Sequence, residues 1–288
     1  MPIPFAKLQG AGNGYVVIDA RALDLNWSAI ARRICDPHFG VGSDGLALVE
    51  QSEVAPVRMR IVNSDGSESE MSGNGIRLFA KFVLDGGIAV AGSDGLRVET
   101  AGGIRVVHPR FGPDGMESAR VAMGRPVFRP EEIPVNVASV GGVSRIFDYP
   151  LSLSTGREVR LTCLSVGNPH AVAILDHPIE DFPLDEVGAE VSEHSLFPNR
   201  INFEIVNVVD RAHIRARIFE RGEGETLSSG TGSTASVVAA HLHGLVDDAV
   251  EVELRGGRLR VCWDGEGQAE LEGPAVLCFN GVWLDSDR

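Results

Sequence analysis

The chain repeats itself, and the repeat limits what it can fold into more than any other feature. Written one above the other, Arg58 to Gly75 (RMRIVNSDGSESEMSGNG) and Arg215 to Gly232 (RARIFERGEGETLSSGTG) agree at seven of eighteen positions at a constant offset of 157. Average residue usage gives about one such match by chance. The identities are Arg58/Arg215, Arg60/Arg217, Ile61/Ile218, Glu68/Glu225, Ser72/Ser229, Gly73/Gly230 and Gly75/Gly232. The agreement continues outward with small indels. GNGYVVI from Gly12 resembles GNPHAVAI from Gly167, and LRVETAGGIRVV from Leu96 resembles VEVELRGGRLRV from Val250. A chain that says the same thing twice at this spacing reads as two copies of one structural unit.

Local patterns describe that unit. RMRIV and RARIF alternate polar and apolar residues as half-buried strands do. A Gly-rich turn follows each, then a helical pattern, predicted over 75–84 and 233–243, with a glycine closing each one. The pairs Gly102-Gly103 and Gly256-Gly257 lie between alternating runs and read as hairpin turns. REVRLTCLSVGNPHAVAIL (157–175) reads as the second copy's opening hairpin, and MGRPVF (123–128) and EGPAVLCF (272–279) as the closing strands of the two copies. The expected fold is α+β: two pseudo-symmetric domains, each a curved, mostly antiparallel sheet or barrel wrapped around one central helix. The N-terminal domain is expected over 1–118, joined by the C-terminal strand 270–288, and the C-terminal domain over 119–269. No low-complexity linker marks the boundary, which rests on the repeat alone.

Composition narrows the partners. A net charge of -14 leaves no electrostatic grip on phosphate backbones, so neither nucleic acid nor an acidic membrane is an expected partner. The stretch from Thr226 to Val246 lacks Asp, Glu, Lys and Arg but is crowded with Ser, Thr, Gly and His, so it does not read as membrane-spanning. Cys35, Cys163, Cys262 and Cys278 are scattered without a CxxC pair, which fits a reducing compartment and small buried hydrophobes better than disulfides. MPIPFAK carries no basic and apolar leader pattern, and a cytoplasmic protein is expected. The Asn26-Trp27-Ser28 glycosylation triplet is discounted accordingly. GAGNG lacks GxGxxG spacing, there is no P-loop, and His241 and His243 point apart on a helix, so nucleotide and metal sites are not supported.

The chemistry gathers at the Gly-rich turns. Each delivers unpaired backbone N–H groups to a helix N-terminus, where the macrodipole favours an anion. One such turn is a weak signal. Two copies related by pseudo-twofold symmetry would set two helix starts and two serines, Ser72 and Ser229, opposite each other. That suits a small carboxylate-bearing substrate, and a reaction that removes a proton from one face of a carbon and delivers one to the other. For each serine alone, N-capping is the simpler account. Glu220-Arg221 alone would be a surface ion pair, the asparagines turn formers, and His170 a structural histidine.

KLQGAGNGYVVID (7–19), NSDGSESEMSGNGIR (63–77), VGNPHAV (166–172), RINFE (200–204) and ERGEGETLSSGTGS (220–233) together resemble the diaminopimelate epimerase family, over essentially the whole chain. The resemblance implies an isomerase needing no cofactor and no metal. It would interconvert LL- and meso-2,6-diaminopimelate by two-base proton transfer at the alpha-carbon, in the synthesis of lysine and cell-wall precursors. It implies a dicarboxylic amino acid as substrate, bound by Asn13, Asn63, Asn168, Asn202, Glu220 and Arg221, with the backbone at Gly73-Asn74 and Gly230-Thr231 holding the alpha-carboxylate. His170 and Glu220 fall where the family helps to activate a thiol; a homodimer is left open.

The family's acid/base pair is two cysteines, and these match Ser72 and Ser229. A thiol titrates near 8.5 and a helix start can lower it into the physiological range; a serine hydroxyl is far less acidic. Gly14-Tyr15 also stands where the family reads Asp-Phe, and Gly45 where it has a polar residue. Four explanations follow: an epimerase whose serines are activated by His170, Glu220 or water; an isomerase of another small carboxylic acid; a silent, substrate-binding relative; or an experimental Cys-to-Ser form.

Overall fold

The computed structural model describes residues 2–69 and 72–284. Its packing divides the chain into two compact units, Met1–Ala122 with Glu272–Arg288, and Met123–Leu271. In the first unit the elements run β1 (Pro2–Gly10), β2 (Asn13–Asp19), α1 (Trp27–Ile34), β3 (Gly45–Glu50), β4 (Val57–Asn63), β5 (Glu68–Ser69), α2 (Gly73–Asp85), β6 (Leu96–Thr100), β7 (Gly103–Gly112) and β8 (Gly115–Gly124). Pairing is antiparallel for β1–β2, β3–β4, β4–β5, β6–β7 and β7–β8, and parallel for β2–β3 and β4–β6.

The second unit repeats this order: β9 (Tyr149–Ser152), β10 (Glu158–Ser165), β11 (Pro169–Leu175), α3 (Leu184–Glu193), β12 (Asn202–Asp210), β13 (His213–Glu220), β14 (Gly224–Thr226), α4 (Gly230–Leu242), β15 (Ala249–Leu254), β16 (Gly257–Cys262) and β17 (Ala269–Pro274). Here β10–β11, β12–β13, β13–β14 and β15–β16 are antiparallel, while β11–β12 and β13–β15 are parallel. The two parallel pairs fall at the same places as in the first unit, so the duplication seen in sequence is a duplication of topology. Each unit is a curved, mostly antiparallel sheet around a buried helix.

The central helices are α2 and α4, longer at their N-termini than the periodicity predicts because each starts directly after its serine cap. In α4 every residue from Gly230 to Ala240 except Thr231 is buried, which marks a helix enclosed by its own sheet rather than lying on one. Gly86 caps α2; His243 caps α4, with Gly244 next.

The expectation of one helix per unit falls short, since α1 and α3 are second, shorter helices. The reason is that the sheet is apolar on both faces. In the first unit Tyr15, Val17, Ala47, Val49, Met59 and Ile61 pack with Ile76, Phe79 and Val83 of α2. The alternate residues Val16, Ile18, Leu46, Leu48 and Val62 pack with Trp27, Ile30 and Ile34 of α1. Continuous apolar runs in β2 and β3 record that double cover. Asn26, the residue of the discounted glycosylation triplet, is the α1 N-cap, its side chain accepting from Ala29 N at 3.1 Å. In the second unit Leu184, Val187 and Val191 of α3 pack with Leu161, Cys163, Ala171, Phe203 and Ile205.

Both closing-strand readings are corrected. MGRPVF is not one strand: β8 ends at Gly124, Pro126 offers no N–H to a ladder, and Val127 forms only an isolated bridge with Ser165. EGPAVLCF breaks at Ala275, and the strand that follows, β18 (Val276–Leu284), runs antiparallel to β1 in the first unit. Among the described residues no helix is long and apolar enough to cross a membrane.

Candidate functional site

Both Gly-rich turns are built alike. Ser72 caps α2 with φ -133° and ψ 125°, and Ser229 caps α4 with φ -134° and ψ 129°. Ser72 Oγ accepts from Gly75 N at 3.0 Å and Ser229 Oγ from Gly232 N at 3.2 Å. The capping role is therefore real in both copies. It leaves the N–H groups of Gly73 and Asn74, and of Gly230 and Thr231, ahead of the first intrahelical bonds, Ile76 N to Ser72 O and Ser233 N to Ser229 O. Amides in that position suit a carboxylate.

In the first unit the expected binding residues are held as follows. Asn13 Nδ2 donates to Asp44 Oδ2 at 2.6 Å, and the same oxygen accepts from Gly14 N at 2.7 Å. Asp44 thus fixes the start of β2. Lys7 Nζ donates to Gly42 O beside it, its ammonium pushed below the usual lysine range by burial, with Asp44 partly opposing. Asn63 Nδ2 donates to Ser67 Oγ at 3.0 Å and ties its own turn, the bland role an asparagine has at such a place. The Asn74 side chain turns inward, Oδ1 accepting from Arg77 Nη2 at 2.6 Å, while Arg77 Nη1 donates to Gly73 O at 2.9 Å. Arg77 is fully buried, its Nε has no partner among the described residues, and burial pulls the guanidinium down to about 10, which leaves it charged at neutral pH. A fixed cation one turn inside α2 clamps the backbone of the serine turn from below.

The second unit holds a buried polar chain. His170 and Glu204 are both fully buried, with His170 Nδ1 and Glu204 Oε1 2.6 Å apart. His170 Nε2 lies 2.8 Å from Asn168 Oδ1, and Asn168 Nδ2 donates to Thr231 Oγ1 at 3.3 Å. Thr231 Oγ1 is in turn 3.4 Å from Ser229 Oγ. The proton count follows from donors and acceptors. With its amide nitrogen committed to Thr231, Asn168 presents oxygen to His170, so Nε2 carries a proton. The contact at Nδ1 then needs one more, held by the ring or by the carboxyl group. Burial raises the Glu204 carboxyl above the usual range, opposed by His170, with nearby Glu220 adding to the rise. His170 and Glu204 form a neutral unit sharing one proton, wired by hydrogen bonds to Ser229.

Asn202 lies beside His170 in the parallel ladder of β11 and β12, and its Oδ1 accepts from Arg221 N at 3.0 Å. The Arg221 side chain is exposed, and Nη1 donates to Asn199 O at 3.0 Å. Glu220 is half-buried at the end of β13. In the second unit Asn168 reaches the start of the central helix through Thr231, whereas Asn13 and Asn63 of the first bond Asp44 and Ser67. Sequence reading missed Asp44, Arg77 and Glu204. Arg77 and Glu204 lie inside the motifs NSDGSESEMSGNGIR and RINFE, and Asp44 directly precedes Gly45, but only the folded chain shows their partners.

The histidines and cysteines named above are placed as follows. His241 bonds Asp248 and His243 bonds Thr162, and no His/Cys/Asp/Glu cluster of metal-holding shape occurs among the described residues. Cys35 and Cys163 are buried, with burial raising the Cys35 thiol to about 12, but Cys262 is half-buried and Cys278 exposed, so the buried-hydrophobe reading holds for two of four.

The chain matches the family model described as diaminopimelate epimerase over residues 5–129 and 162–278. It is 41% identical to the diaminopimelate epimerase of Acetivibrio thermocellus, covering 96% of this chain and 97% of that protein. To the enzyme of the same name from Nitrosomonas eutropha it is 42% identical, covering 98% and 99%. A crystal structure of a hydroxyproline epimerase from Agrobacterium vitis, with bound trans-4-hydroxy-L-proline, shares the fold, with a TM-score of 0.72 at 14% identity over 99% of this chain and 94% of that one. With a duplicated sheet-and-helix unit, two serine-capped helix starts and full-length identity near two-fifths, the chain belongs to the diaminopimelate epimerase family.

Proposed function

We propose that the protein is a cofactor-independent isomerase that interconverts LL- and meso-2,6-diaminopimelate by proton transfer at the alpha-carbon. The observation that supports this most is the pair of helix starts with matching cap geometry, one per unit, each presenting first-turn amides beside a serine. The amides of Gly73-Asn74 and Gly230-Thr231 would hold the alpha-carboxylate and stabilise charge that develops as the carbanion forms. Asn13, Asn63, Asn168, Asn202, Glu220 and Arg221 would orient the rest of the substrate. Ser72 and Ser229 occupy the proton-transfer positions, and His170 with Glu204 supplies titratable chemistry beside Ser229. The same reading makes the protein a cytoplasmic enzyme without a nucleic-acid partner, in keeping with its net charge of -14, and leaves assembly as a homodimer open.

The test is proton exchange followed by NMR. LL- and meso-diaminopimelate are incubated in deuterated buffer with the protein and with the Ser72→Cys/Ser229→Cys form. Deuterium entry and isomer interconversion by the unmodified protein support turnover as it stands. Activity confined to the double-cysteine form would identify a binding site that lacks its acid/base pair. Silence from both folded proteins would remove diaminopimelate as the substrate.

A further inference from the structure

The duplication sets Tyr15 where the second copy has His170. GNGY from Gly12 and GNPH from Gly167 align at an offset of 155, which pairs Asn13 with Asn168 and Tyr15 with His170. The sheets agree: Tyr15 lies opposite Gly45 in the parallel β2–β3 ladder, as His170 lies opposite Asn202 in the parallel β11–β12 ladder. Each ring is buried, and each belongs to the strand that runs past the start of its central helix.

The phenol reaches the serine turn. A Cβ built on Gly75 would stand 3.4 Å from Tyr15 Cζ, 3.2 Å from Ser72 Oγ and 3.1 Å from Ser72 Cβ, so ring tip and serine flank one point at the first turn of α2. A Cβ built on Gly45 would stand 3.1 Å from Tyr15 Cε1 and 2.9 Å from Val62 O. The ring occupies the space a side chain at 45 would need. Against the Phe that the family reads at this place, Tyr15 adds one oxygen, on the ring atom that stands nearest the serine turn.

We infer that Tyr15 is the acid–base residue of the first unit, supplying there the proton that Ser72 cannot. This rests on the epimerase reading above. A phenol titrates near 10 in model peptides, against about 8.5 for a thiol, whereas a serine hydroxyl lies far higher. The first-turn amides of the α2 start favour a negative oxygen beside them. In the forward step a separate base takes the alpha-proton and the C–H electron pair stays on carbon. The Tyr15 O–H bond then breaks, its proton forms the new C–H bond with that pair, and the phenolate remains at the helix start. In the reverse step the phenolate takes the alpha-proton.

The experiment uses the full chain and diaminopimelate, comparing the unmodified protein with Tyr15→Phe, which removes one oxygen, and with Tyr15→Phe/Ser72→Cys. Interconversion is expected to fall by about 100-fold or more in Tyr15→Phe, the usual size of a lost general acid or base. Calorimetric binding of diaminopimelate should stay within about threefold, and the added thiol should restore turnover. Interconversion in Tyr15→Phe within about threefold of the unmodified rate, or no recovery in the double variant, overturns the assignment. An unmodified protein that is silent while Ser72→Cys/Ser229→Cys turns over also overturns it, yet leaves the epimerase site standing. Silence from every folded form ends both.

Discussion

The repeated Arg and Glu identities predict a measurable asymmetry. Arg60 and Glu68 form a clasp between β4 and β5, with Nη2 2.5 Å and Nε 3.1 Å from Glu68 Oε1. Arg217 and Glu225 form the same clasp between β13 and β14, with two bonds of 2.8 Å. Each pins the short hairpin that leads into a serine cap. Their surroundings differ: side-chain exposures are 32% and 58% in the first clasp but 14% and 9% in the second. Arg217 Nη1 also donates to the carbonyls of Ile179, Glu180 and Phe182 at 2.7, 3.0 and 2.9 Å. Arg217→Met would leave Glu225 with Arg255 Nη1 at 3.2 Å as its remaining cation and would strand three carbonyls, and by analogy with broken buried pairs should cost about 3–5 kcal/mol. Arg60→Met removes an exposed pair and should cost about 1 kcal/mol or less. With a urea slope of about 2 kcal/mol per molar, the midpoint should fall by about 1.5–2.5 M in the first case and about 0.5 M or less in the second. Acid titration gives a second readout. Hydrogen bonds from Arg217 hold the Glu225 carboxyl below its ordinary value of 4.5. The unfolded chain therefore binds the proton more readily, and this stabilisation is complete above about pH 4.5 and lost as pH falls through the folded-state value. Arg217→Met should weaken that acid limb, leaving the part that Arg255 supplies, and Arg60→Met should keep it whole. Equal midpoint shifts, or an unchanged acid limb in Arg217→Met, would refute the burial argument.

Two further substitutions test the site's construction. Glu204→Gln can donate its amide to His170 Nδ1 and should cost about 1–2 kcal/mol, whereas Glu204→Ala leaves that nitrogen buried without a partner and should cost about 3–5 kcal/mol, read from urea midpoints. Near-equal costs would contradict the shared-proton account. Gly45→Gln forces a side chain against Val62 O and the Tyr15 ring and should destabilise by about 1–3 kcal/mol. Thermal unfolding at or above the unmodified midpoint would show that the ring moves aside freely.

The sequence made the repeat legible because seven identities survive at one offset, and most of them have structural work. Arg60/Arg217 with Glu68/Glu225 build the clasp, and Ser-Gly-x-Gly builds the cap. The central helices were legible because their starts carry that cap. The outer helices were not: α1 has only 8 residues, and the run Trp27, Ile30, Ala31, Ile34 that buries its face is too short to stand out. The closing strands misled because apolar runs do not name their partner; Val276–Leu284 alternates no differently for pairing with β1 than with its own repeat. At the site, the serines, glycines and asparagines could be read from motifs. Asp44, Arg77 and Glu204 could not, since a charged residue becomes informative only when it is known to be buried and against what.

What the two copies do not share is as orderly as what they do. Asn63 stands at the place of Glu220, Tyr15 at that of His170, Gly45 at that of Asn202, and Asn74 at that of Thr231. The scaffold positions are kept and the side chains around the serine are exchanged. A reaction at a stereocentre explains why. Removing a proton on one face and adding one on the other calls for two groups whose proton affinities differ at any instant, one charged as base and one protonated as acid. A perfectly duplicated site would leave that difference to one proton shared by a coupled pair. The second unit surrounds its serine with a histidine and a buried carboxyl that share a proton, and the first with a phenol and a fixed guanidinium. Those surroundings give the two serines different polar neighbours within one fold. Exchanging Tyr15 for His should therefore slow interconversion more than exchanging it for Phe alongside Ser72→Cys, although histidine is the better titrating group. A Tyr15→His protein with faster interconversion than the unmodified chain would show that the difference between the halves is inherited rather than used.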